Sequence, residues 1–134
     1  MKKLIVAILA ALVVSMPSFM VYADSVQILD VKAHQQNDKS WTFAVTLKHK
    51  DTGWDHYANE WQVISPDDKI LATRTLYHPH VDEQPFTRNT SGVKIPKGID
   101  TVRIIAKDTV HGLSKTAMDV NLETKKITPV TITP

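Results

Sequence analysis

The sequence predicts an all-β fold, an antiparallel sandwich. Three observations lead there. Apolar residues recur at every second position in several short runs. Clusters of turn-forming residues separate those runs. No segment carries a helical period of useful length.

The first run, Val26 to Val31, shifts phase between Ile28 and Leu29, which predicts a β-bulge. The second places Trp41, Phe43, Val45 and Leu47 on one face and Thr42, Ala44, Thr46 and Lys48 on the other. Trp61 and Val63 mark a short third strand, and the Thr- and aliphatic-rich stretch Ile70 to Tyr77 a fourth. The fifth begins near Phe86 and ends with Val93 and Ile95. Val102, Ile104 and Ala106 form the sixth, and Met118, Val120 and Leu122 the seventh. Turn signals fall between them at Gln36-Asn37-Asp38, Asp51-Thr52-Gly53, Ser65-Pro66-Asp67-Asp68, Pro96-Lys97-Gly98 and His111-Gly112. Seven short strands with this spacing predict a sandwich of the immunoglobulin or fibronectin III type, with Trp61 at the buried tryptophan position of such folds. No tyrosine corner stands ahead of the sixth strand, where Thr101, Val102 and Arg103 lie. The tail, residues 124–134, is an added edge strand or a loose end, its pairing limited by Pro129 and Pro134.

The amino terminus has a different character. Lys2 and Lys3 precede the apolar run Leu4 to Val14, followed by Pro17 and by Val21-Tyr22-Ala23. A basic start, a short apolar stretch and small residues at the end predict an export signal over residues 1–23, of the bacterial Sec type. The run is short for a bilayer span, so no membrane span is expected after cleavage. Cleavage leaves one domain, residues 24–123 plus the tail, destined for the periplasm or the medium. It also removes two of the 16 Lys and Arg, so the remaining 14 balance the 14 Asp and Glu. A neutral domain is a poor nucleic-acid or anionic-membrane binder. There is no cysteine. Disulfides, thiolate nucleophiles and thiolate-ligated metals are therefore excluded, and no lipid-bearing cysteine is expected.

Of six histidines, four lie in three segments that each carry a carboxylate: Trp54-Asp55-His56-Tyr57, His78-Pro79-His80-Val81-Asp82-Glu83, and Asp108-Thr109-Val110-His111. In a sandwich whose successive strands alternate in direction, all three segments fall at one pole. The opposite loops contain no histidine. Imidazoles with one or two carboxylates and no sulfur suit a divalent ion, Cu²⁺ by affinity order and Zn²⁺ next. His56, His78, His80 and His111 are the candidate ligands, with Asp82 and Asp108 in support. Pro79 favours an extended backbone at His78, which would send His78 and His80 to one side. Asp55 and Glu83 could orient imidazoles through their second nitrogens. Trp54, Tyr57 and Tyr77 could form a stacking surface, and Arg88 a clamp on Asp82 or Glu83. The competing reading is that these groups hydrogen-bond the loops to one another, and that Trp54 and Phe86 cap the core. His34 and His49 are expected at the surface, with His49 able to reach the pole as a supporting group.

The stretches HKDTGWDHYANEW (49–61), HPHVDEQPFTRNTSG (78–92) and DTVHG (108–112) resemble those of a group of small exported bacterial proteins. The resemblance implies that these loops define the group, and it carries no activity. One departure is visible: Leu113-Ser114 follows the His-Gly pair where the group has a second glycine or an aromatic.

Two functions follow. One is a periplasmic copper- or zinc-binding sandwich with a carrier or accessory role, passing its ion to a protein partner. The alternative is a non-catalytic module that binds protein or glycan through the same pole. A metal-dependent enzyme is least favoured, because a domain this small offers little beyond a shallow loop-lined cup.

Overall fold

The computed structural model describes residues 25–132. The expected export signal lies outside the described residues. No helix among them is long and apolar enough to cross a membrane.

Among the described residues, nine strands form two antiparallel sheets packed face to face. They are β1 (Gln27–Gln35), β2 (Trp41–Lys48), β3 (Ala58–Ile64), β4 (Ile70–Thr75), β5 (Phe86–Val93), β6 (Thr101–Asp108), β7 (Gly112–Leu113), β8 (Thr116–Asn121) and β9 (Ile127–Thr131). One sheet has the order β1-β2-β5, the other β4-β3-β6-β8-β9, with the two-residue β7 paired to β6. Two strands, β7 and β9, exceed the expected seven. Gly112, at φ +68, lets the chain double back along β6 after His111. The tail then pairs with β8 from Thr131 to Ile127, an edge position that tolerates Pro129.

The alternation read from the sequence becomes burial. Trp41, Phe43, Val45 and Leu47 of β2 face Trp61 and Val63 of β3, Val102, Ile104 and Ala106 of β6, and Met118 and Val120 of β8 in one core. The bulge in β1 lies between Ile28 and Asp30, as the phase shift predicts. β4 is shorter than expected, because the chain leaves the sheet after Thr75 and the exposed Tyr77 opens the loop to β5.

Candidate metal centre

β2 runs toward one pole and ends at Lys48. His49 continues its inward phase and is only 2% exposed. This corrects its expected surface position. The signal was present: residue 49 has the parity of Trp41, Phe43, Val45 and Leu47. Asp51 follows in a tight turn and is also buried. Gly53, at φ +149, begins a small hairpin in which the Thr52 amide donates to the His56 carbonyl at 3.0 Å. The turn carries His56 back over His49, with ring centroids 4.7 Å apart. β6 ends at the buried Asp108, and the short loop to β7 brings His111 within 4.9 Å of the His56 ring. The two loops are stitched together: the Thr109 amide donates to the Tyr57 carbonyl at 3.0 Å, and the Thr109 hydroxyl donates to the Asp55 carbonyl at 3.3 Å.

His49, His56 and Asp108 each present a ligand atom within 4.8 Å of the others, and the group can hold a metal ion. Asp108 Oδ1 lies 3.3 Å from His56 Nε2, and Oδ2 lies 3.9 Å from His49 Nε2. Two donors about 2.0–2.1 Å from a tetrahedral Zn²⁺ stand about 3.3 Å apart, the spacing Asp108 Oδ1 and His56 Nε2 already have, while His49 Nε2 would have to close in from 3.9 Å. His56 Nε2 is buried and makes no hydrogen bond, although a carboxylate oxygen is beside it. Such an atom is costly in an ion-free protein and natural for a ligand. The side chains of His49 and Asp108 are sealed from solvent, while His56 and His111 are partly open, so the group is reached from their side.

Burial pushes the Asp108 carboxyl up, but the backbone amides of His111 and Val110 and the His111 ring more than offset it. The group therefore stays below the ordinary aspartate value and is held as the anion. Those amides donate to Oδ1 at 2.6 and 2.8 Å, and His111 Nδ1 lies 3.1 Å from the same oxygen.

His78, His80 and Asp82 are not brought into this group. The His80 ring stacks on Phe86, centroids 3.9 Å apart and 11° from parallel, and its Nε2 accepts from Arg88 at 2.8 Å. Burial and packing have thus turned the ring onto the core edge and committed one nitrogen. His78 is exposed, beside His80 at 4.6 Å, with Nδ1 directed at the Pro79 carbonyl. Asp82 and Asp55 are exposed. Arg88 lies 3.9 Å from Glu83. Phe86 caps the core, but Trp54 does not. Trp54 is 69% exposed and meets only the edge of Tyr57 among the described rings. Hydrogen bonds between the loops are also present, as expected: Gln84 Oε1 accepts from the His49 amide at 3.0 Å, and Gln84 Nε2 donates to the His80 carbonyl at 2.9 Å. Neither Gln84 nor Asp51 stood out in the sequence, since a buried polar residue in a loop leaves no periodic mark.

Burial, then Arg88 and His78, hold the His80 imidazole below the ordinary histidine value of 6.5, against the opposing pull of Asp51 and Glu83. The unfolded chain therefore takes up a proton near pH 6.5 that the folded chain refuses, and stability falls as pH drops below that point. Urea unfolding at pH 7.5 and 5.5, in chelator-treated buffer, should show a loss that His80→Asn reduces. For one group the slope is at most about 1.4 kcal/mol per pH unit. An equal loss in the variant would exclude His80 as its source.

No protein-family model matches the chain, and no solved structure matches it. A protein of Halomicrobium mukohataei described as "Putative lipoprotein" is 35% identical over 96 residues, 72% of this chain and 47% of that protein. The chain thus spans about half the length of the curated relative it matches.

Proposed function

We propose that this chain is an exported, periplasmic metal-binding β-sandwich protein that holds Cu²⁺ or Zn²⁺ at the pole and serves as a carrier or accessory. The ligands are His49, His56 and Asp108, with His111 closing the open side. The observation that carries the reading is the buried His56 Nε2, without a hydrogen bond and 3.3 Å from a carboxylate oxygen. The relative's description as a lipoprotein supports export, and the amino-terminal pattern supports a cleaved signal. The sheet orders β1-β2-β5 and β4-β3-β6-β8 support the immunoglobulin or fibronectin III class. The three loop motifs support a resemblance to a group of small exported bacterial proteins.

The deciding experiment is metal analysis of untagged protein, followed by calorimetric titration of the metal-free form with Zn²⁺ and Cu²⁺. One ion per chain with micromolar or tighter affinity is the expected result. Intact folded protein that takes up neither ion at micromolar concentration would end this reading and leave the interaction module. Exposed Trp54 and Tyr77, 69% and 77% exposed, support that second reading as a contact surface on the same pole.

A further inference from the structure

Asp51 has no place in the ligand set, yet its carboxylate holds three groups from three segments of the pole. Its side chain is fully buried. Oδ1 lies 2.6 Å from His49 Nδ1 and accepts from the Ala58 amide at 3.0 Å. Oδ2 accepts from the His80 amide at 2.8 Å. We infer that Asp51 is the positioning residue of the ion site: it keeps the proton of His49 on Nδ1, so that Nε2 carries the lone pair presented to the ion. This rests on the metal-binding reading and names the device by which that site is prepared.

A carboxylate only accepts, so the group facing it at 2.6 Å must donate, and the donor is Nδ1–H. A neutral imidazole has one N–H, so Nε2 becomes the electron-pair donor, and it is Nε2 that faces Asp108. The two backbone amides hold the carboxylate from both ends, one at the start of β3 and one in the loop before β5. Asp51 therefore cannot swing away without breaking bonds to two other segments. A carboxylate behind a ligating imidazole also makes that imidazole a better donor.

The test reads the ring nitrogens directly. Protein labelled with ¹⁵N-histidine is stripped of metal and loaded with ¹¹³Cd²⁺ as the probe. His49 should couple to the ion through Nε2 and retain its proton on Nδ1. Coupling of His56 with His49 silent, or coupled through Nδ1, overturns the role of Asp51 and leaves the ion site standing. An absence of coupling at every histidine overturns both. This measurement needs no variant, so it survives if Asp51 proves necessary for folding. Asp51→Asn supplies the second arm: Zn²⁺ affinity should fall about 10- to 100-fold. The exposed Asp82→Asn should leave it unchanged. A folded Asp51→Asn protein with wild-type affinity overturns the inference.

Discussion

Saturating Zn²⁺ raises the melting temperature of the wild-type protein and leaves that of His56→Ala where it was. The ion would bridge the end of β2, the loop before β3 and the end of β6, segments that separate on unfolding. A ligand that binds only the folded form stabilises it by about 2.7 kcal/mol at a free concentration 100 times its dissociation constant. For a domain near this size that corresponds to roughly 10 °C or more. His56 is the informative position because its Nε2 makes no hydrogen bond. Without ion, the alanine variant should lose only ring packing against His49 and His111, about 1 kcal/mol. Asp108 is less useful, since its removal would also strand the His111 and Val110 amides. A scan in Zn²⁺ and in chelator, with both proteins, checks the expectation. Equal shifts in the two proteins would place the ion elsewhere, and no shift in either would remove it.

Trp61→Ala is expected to be the most damaging single change in the core, costing about 3–5 kcal/mol. Trp61 is 0% exposed, on the central strand β3 between β4 and β6, and leads the fully buried side chains by volume. Against a typical total of about 5–15 kcal/mol this removes roughly a fifth or more of the stability. The urea midpoint should fall by roughly 2 M. Trp61→Phe should be much milder, because it keeps most of the ring volume and deletes an indole N–H that makes no hydrogen bond in the core. If the alanine variant unfolds at the wild-type urea concentration, the sandwich core is not organised around β3.

The fold was largely legible because alternation is local. A residue in an extended strand reveals its face through its neighbours two positions away, and β2 could be read from Trp41 to Leu47 without any partner strand. The same parity extends to residue 49 and puts His49 inside, against the surface position expected of a histidine. Trp54 shows the opposite error: a large apolar residue in a loop has no period, and hydrophobicity alone misassigned it to the core. The sequence groups His78 and His80 with His56 and His111, because all four lie on loops of one pole. The loops do meet there, through Asp51 to His80 and Thr109 to Tyr57. Sharing a pole does not bring ring nitrogens to one point, however. Which way each imidazole turned depended on Phe86 and Arg88 for His80, and on Asp108 for His111.

The absence of cysteine, the alternation of β2, β6 and β8, and the placing of histidine-bearing loops at one end were determined by the sequence alone. Each is a matter of composition, of period, or of strand direction. Tertiary structure decided that the residues able to hold an ion are His49, His56 and Asp108, with Asp51 behind His49. A ligand set is a coincidence of side-chain atoms within a few ångströms, drawn from residues up to 59 positions apart. Only the packing of three separate segments, and the hydrogen bonds that orient their rings, can bring it about.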